Sequence, residues 1–272
     1  MNTISSKVLK GLPIRYLEVG HGEPVVLLSG LPYTASLWKQ ALLKRSLSYR
    51  YICVDFIGDQ GLVAWQRQLQ LLTQLLHKLE LEPVHLVMHG LGSIIGLNFA
   101  ATRPELCQSL TFIDPYLGGN SGNNLLFAEQ INSCVTANWN QQLVRQIMLQ
   151  SCLTPSLDII DECLQDYNNN YAELANLYTT LQAPGGGEIG ALVDNAYAKL
   201  KASELPKLLF YALPGFMCSI DQVIQAKSHF SNLEVQVIED CFNLPSFEQL
   251  TSIIQQLEVW LAQQFEFSAV TE

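Results

Sequence analysis

Residues 84–101 constrain the fold more than any other stretch of this chain. Val84-His85-Leu86-Val87-Met88 is an apolar, partly β-branched run of the length of a buried strand. It stops abruptly at His89-Gly90-Leu91-Gly92, and Ser93 to Ala101 continues as a small-residue apolar stretch that reads as a tightly packed helix, ended before Pro104. Strand, sharp turn and helix in immediate succession make an elbow.

The rest of the chain repeats the same alternation. Ile14 to Val19 alternates apolar and polar residues, and Gly20-His21-Gly22 leads into the continuous apolar strand Pro24 to Leu28, so the two are expected to form a hairpin and a buried strand. Tyr51 to Asp55, Leu110 to Ile113, Pro206 to Tyr211 and Leu233 to Ile238 give further strands, and Val63 to Leu81 and Phe247 to Gln264 give amphipathic helices. Short strands separated by helices predict an α/β domain, a mostly parallel central sheet flanked by helices. From about Leu117 to Ala202 the chain turns rich in Asn, Gln and Leu, carries helical periodicity and contains Pro184-Gly185-Gly186-Gly187. This stretch is expected to be an inserted helical cap, residues 117–202, over a core made of 1–116 and 203–272.

Bulk properties bound the partners. With 272 residues, 49% hydrophobic and 15% charged, the chain can bury one large core and requires no second domain. A net charge of -10 without a Lys/Arg cluster repels phosphate backbones and anionic lipid, so no nucleic acid and no membrane are expected as partners. Met1 to Gly11 lacks an apolar signal core and no run approaches the roughly 18 residues that span a bilayer. Seven scattered cysteines without a C-x-x-C pair read as buried thiols of a reducing, cytoplasmic setting, Cys241 being the one with a candidate site nearby. No cofactor and no metal site is expected, and a homo-oligomer is compatible with the composition.

Several segments together resemble haloalkane dehalogenases within the α/β-hydrolase fold. Leu27-Leu28-Ser29-Gly30-Leu31-Pro32 with Leu37-Trp38 downstream is similar to that family's His-Gly-Asn-Pro loop and Trp. Asp55-Phe56-Ile57-Gly58-Asp59-Gln60-Gly61 is similar to its Asp-Leu-x-Gly-x-Gly loop, Met88 to Ser93 to its elbow, and Pro206 to Gly215 to a strand and loop of that branch. The resemblance implies an α/β-hydrolase core covering nearly all of the chain outside the cap. It also implies four replacements. The aspartate nucleophile of the family falls on Gly90, the base histidine on Asn243, and the halide-binding Asn and Trp on Leu31 and Leu91. Of the triad only Asp114, at a strand end before Pro115, is retained.

These residues decide what chemistry remains. Glycine has no side chain with which to attack, and an amide does not titrate near neutral pH, so losing both costs about six orders of magnitude in kcat, roughly 8 kcal/mol of barrier. No histidine follows His229 to supply a displaced base. Ser93, three residues past the turn, reads as a capping or packing residue, and His89 as a packed residue behind the elbow. Glu239 and Asp240 read as solvated loop residues. By position, the backbone N–H groups of Leu31 and Leu91 still form an oxyanion-type pair. Asp114 reads either as a turn-forming Asp or as a general base, and Tyr33, Trp38 and Tyr116 as pocket or core aromatics. Two functional readings follow: a repurposed enzyme that takes a hydrophobic small molecule through a non-hydrolytic cyclisation, isomerisation or elimination, and a pseudoenzyme that binds a ligand or protein partner. An active dehalogenase or esterase is the least favoured alternative.

Overall fold

In the computed structural model of the protein, residues 5–58, 61–81, 83–118, 138–182, 187–243 and 245–266 are described. The strands are β1 (Ser5–Val8), β2 (Arg15–Gly20), β3 (Pro24–Leu28), β4 (Arg50–Asp55), the short ribbon pair β5 (Ile57–Gly58) and β6 (Gly61–Leu62), β7 (Val84–His89), β8 (Cys107–Ile113), β9 (Lys207–Pro214) and β10 (Leu233–Cys241). Helices are α1 (Ser36–Leu43), α2 (Trp65–Leu79), α3 (Gly92–Thr102), α4 (Gln141–Gln150), α5 (Leu157–Asp166), α6 (Ala172–Leu181), α7 (Gly187–Leu200), α8 (Ile220–His229) and α9 (Phe247–Glu266). Eight strands form one sheet in the order β1-β2-β4-β3-β7-β8-β9-β10. From β4 to β10 in that order all pairings are parallel, and only β2 runs against the rest, antiparallel to both β1 and β4.

The expected hairpin between Ile14–Val19 and Pro24–Leu28 does not form. β2 pairs with β1 and β4, while β3 lies between β4 and β7. The physical reason is burial. Val25, Val26, Leu27 and Leu28 are all buried, which requires cover on both faces and partners on both edges; β2 leaves Arg15, Glu18 and Gly20 at least partly in solvent and fits nearer the margin.

The centre is packed tightly around the elbow. β7 is buried along its whole length, and α3 buries Gly92 to Ala100 without a polar face. Its first glycine makes this approach feasible. A Cβ on Gly92 would stand 2.5 Å from the Leu28 carbonyl oxygen, so only glycine lets the helix begin against β3.

Helices α4 to α7 lie in the chain between β8 and β9, where the cap is expected; most of the glycine-rich break, 184–186, lies outside the described residues. Helix α7 packs along α3, and many of the hydrogen bonds between these helices and the core fall on one loop, residues 29–36. Tyr33 reaches α4, its hydroxyl donating to the Met148 carbonyl at 2.8 Å beside Ser151 Oγ at 2.6 Å. Tyr167 Oη donates to the Pro32 carbonyl at 2.9 Å, and Asp166 accepts from Thr34 Oγ1 at 2.6 Å and Ser36 Oγ at 2.9 Å. Lys39 of α1 pairs with Glu162 of α5 at 3.1 Å. Buried tyrosine hydroxyls thus anchor the cap to the very loop that borders the elbow. Tyr167→Phe leaves the Pro32 carbonyl without its donor and is expected to cost about 1–3 kcal/mol, a fall of roughly 2–10 °C in the midpoint of thermal unfolding followed by circular dichroism.

Candidate functional site

The site is built where β7 meets α3. Gly90 has φ +50°, the left-handed conformation that an elbow demands and that favours glycine. The space in front of it is occupied. A Cβ on Gly90 would lie 2.9 Å from Asn243 Nδ2 and 3.4 Å from Asn243 Oδ1. The amide therefore stands where a side chain at the turn would project.

Asn243 connects this turn to Asp114. Its Nδ2 donates to Asp114 Oδ2 at 3.1 Å, so the three positions expected from the resemblance, Gly90, Asn243 and Asp114, do meet in space. Asp114 is itself buried, sits at φ +38°, and accepts from the backbone N–H groups of Met217 (3.1 Å) and Cys218 (3.1 Å), with Phe216 at 3.5 Å. Burial raises its carboxyl to about 6, against the pull of those donors. With its oxygens taken up by the 216–218 loop and Asn243, Asp114 orients these segments and is not presented to the cavity.

His89 sits behind the turn and is fully buried. Its Nδ1 accepts from the Gly30 N–H at 3.2 Å, and its Nε2–H donates to the Asn243 carbonyl at 2.7 Å. One neutral imidazole thus joins the loop after β3, the elbow and the loop after β10, with Trp38 edge-on against it at a ring separation of 6.1 Å. Burial holds this imidazole down at about 4. Ser93 is equally committed: its Oγ lies 2.7 Å from the Gly90 carbonyl and accepts from the Tyr116 N–H at 2.9 Å. Cys241 is buried, and burial pushes its thiol up, the Asp114 carboxylate adding to the effect. Glu239 and Asp240 are exposed, and their carbonyls accept from the Gln249 side chain.

A cavity of about 30 Å³ opens beside the elbow, lined among others by Leu31, Tyr33, Asp55, Gln68, Leu91 and Ile95. Of the expected pocket residues it takes Leu31, Leu91 and Tyr33, but neither Gly90 nor Asn243, because the Asn243 amide stands against the turn and fills the space in front of it. Trp38 and Tyr116 are buried without lining it, and Trp38 Nε1 donates to Ser29 Oγ at 3.0 Å. Leu31 and Leu91, the positions expected to supply an oxyanion-type N–H pair, thus lie on the wall of one cavity. The cavity sits at the carboxyl ends of β3, β4 and β7, where the strand order reverses direction at β3. Open parallel sheets bind ligands at such a switch point.

Asp55 is the residue whose importance the sequence reading missed. It ends β4, its Oδ1 accepts from the Ala35 N–H at 2.5 Å, and its Oδ2 lies 3.9 Å from Arg15, which pairs with Asp166 at 3.1 Å. Burial, and then the Asp166 carboxylate, raise Asp55 to about 7, against Arg15 and the Ala35 N–H. The available signal was an apolar strand, Tyr51 to Val54, closed by a carboxylate; nothing local in the sequence indicated that Arg15 and Asp166 would gather around it. Among the described residues no group of three metal-ligating side chains is assembled, and no helix is long and apolar enough to cross a membrane.

Protons link these values to stability. Asp55 has its pKa raised above the unfolded value of about 3.9, so its favourable contribution is full below pH 4 and lost as the pH rises through about 7. His89 works in the opposite sense, its contribution being full above about pH 6.5 and lost as the pH falls through about 4. Asp55→Asn is therefore expected to remove about 2 kcal/mol of the stability lost between pH 5 and pH 8, measured as the change in unfolding free energy by urea titration at the two pH values.

Residues 25–230 match the family model described as the alpha/beta hydrolase family. A haloalkane dehalogenase of Agrobacterium fabrum is 24% identical, the match covering 92% of this chain and 89% of that protein. A cis-3-alkyl-4-alkyloxetan-2-one decarboxylase of Shewanella oneidensis is 23% identical over 85% of this chain and 79% of its own. Among solved structures, the haloalkane dehalogenase DatA of Agrobacterium tumefaciens superimposes with a TM-score of 0.81 at 21% identity, covering 96% of this chain and 97% of that one. Sheet order, elbow and sequence similarity together place this chain in the alpha/beta hydrolase family.

Proposed function

We propose that this chain is a haloalkane dehalogenase-like member of its family that performs no covalent hydrolysis and instead takes a hydrophobic small molecule through a non-hydrolytic cyclisation, isomerisation or elimination. The observation that carries this reading is at the turn: Gly90 offers no attacking group, and the Asn243 amide fills the space in front of it. Covalent catalysis needs a nucleophile and an adjacent titratable base. Here His89, the histidine nearest the turn, spends both ring nitrogens on Gly30 and Asn243. Leu31 and Leu91, whose backbone N–H groups we assign to a developing negative charge, lie on the wall of a mainly apolar cavity. One relative carries the name of a decarboxylase rather than a hydrolase, which supports non-hydrolytic use of a similar scaffold.

A second reading, a non-catalytic protein that binds a ligand or a partner chain, is favoured by the size of the cavity. About 30 Å³ holds one or two waters. A larger occupant requires lining side chains such as Leu31, Tyr33 and Ile95 to move.

The test uses 1-bromobutane. The unaltered chain is expected to release no bromide above the buffer rate, and measurable release overturns the proposal. The combined substitutions Gly90→Asp, Leu31→Asn and Leu91→Trp are expected to trap a butyl ester on residue 90, visible as one added butyl group by intact mass spectrometry. Adding Asn243→His, beside the Asp114 carboxylate, is expected to release that ester and restore turnover.

A further inference from the structure

Among the described residues, one buried carboxyl borders the cavity, that of Asp55. It closes β4, it is 6% exposed, and it shares the cavity wall with Leu31 and Leu91. One oxygen accepts from the Ala35 N–H at 2.5 Å, and among the described residues the other faces the Arg15 guanidinium at 3.9 Å. Gln68 on the same wall is oriented by its own donation to the Val63 carbonyl at 2.7 Å. Leu31, Leu91, Asp55 and Gln68 therefore border a single small, mainly apolar space.

Resting on the reading of a non-hydrolytic enzyme, we infer that Asp55 is the proton-transfer residue of this pocket and that its substrate is a small enolisable carbonyl compound whose oxygen is held by the N–H groups of Leu31 and Leu91. The step balances without a co-reactant. The Asp55 carboxylate takes a proton from the carbon next to the carbonyl, and the C–H electron pair becomes the C=C bond of an enolate. The displaced carbonyl electrons rest on oxygen as a negative charge facing the two N–H groups. The Asp55 carboxylic acid then returns a proton to carbon, at the same or another face or position.

The surroundings suit this role. Asp55 faces Arg15 from β2, Asp166, Cys163 and Tyr167 from the end of the α5 segment, and Cys53 from its own strand. Both thiols and the phenol are pushed up by burial and stay neutral, so the charges that matter are Arg15 and Asp166. A carboxyl that titrates at about 7 is divided between acid and base forms at neutral pH, the condition for efficient proton transfer in both directions.

Acetone in D2O is the probe; it is larger than two waters and enters as lining side chains such as Leu31, Tyr33 and Ile95 move aside, with exchange of its methyl protons followed by proton NMR and its binding by saturation transfer. The expected result is exchange proportional to protein concentration, at least tenfold above buffer, with a rate that rises with pH to a midpoint near 7. Asp55→Asn is expected to abolish exchange while circular dichroism and acetone binding persist. Asp166→Asn removes the neighbouring negative charge and is expected to move the midpoint down by about one pH unit, a shift that a purely structural role for Asp55 would not give. Absence of exchange in the unaltered chain, exchange that survives Asp55→Asn, or a midpoint unmoved by Asp166→Asn each overturns the inference. Failure of the non-hydrolytic reading shows separately, as bromide release by the unaltered chain.

Discussion

The interaction on which the site depends is the pair of hydrogen bonds made by His89. A buried imidazole has one donor and one acceptor when neutral, and both are spent on backbone: the Gly30 N–H and the Asn243 carbonyl. Three loops that leave the carboxyl ends of different strands are thereby held to one point. Burial keeps the ring neutral, and a proton on Nδ1 would turn its acceptor into a second donor facing the Gly30 N–H. Gly30 after β3 and Asn243 after β10 are both tied by this contact to the last residue of β7. A residue that reads in sequence as mere packing is in fact the joint of the pocket.

The cap depends on the same loop from its other side. Tyr33, Tyr167 and Asp166 place buried or half-buried polar atoms between the cap helices and residues 32–36, each satisfied by a backbone or hydroxyl partner. Because such groups are costly to leave unpaired, the cap and the loop are favoured in register with one another. Asp166 contributes twice. It anchors Thr34 and Ser36, and its charge lifts the neighbouring Asp55. Mechanical docking of the cap and acidity within the cavity are thus coupled through one carboxylate.

Much of this was legible in the chain itself. The apolar run before His89 and the glycine-bounded turn after it specified strand, elbow and helix, and the continuous apolar strands specified a parallel sheet. The meeting of Gly90, Asn243 and Asp114 followed from the resemblance, since their separations in sequence carry no local signal. The hairpin expected across Gly20-His21-Gly22 failed because adjacency in sequence competes with burial, and β3 needs two parallel neighbours. Asp55 was passed over for a related reason. Its character comes from Arg15 and Asp166, which are 40 and 111 residues away, and electrostatics of that kind exists only after the chain has folded.

The amide in front of Gly90 has an evolutionary consequence. A carboxylate appearing at position 90 alone meets the Asn243 side chain and a left-handed backbone, while an imidazole appearing at position 243 alone has nothing to assist. Substitutions at the two positions are therefore coupled: what can stand at 90 depends on what stands at 243, although 153 residues separate them in the chain.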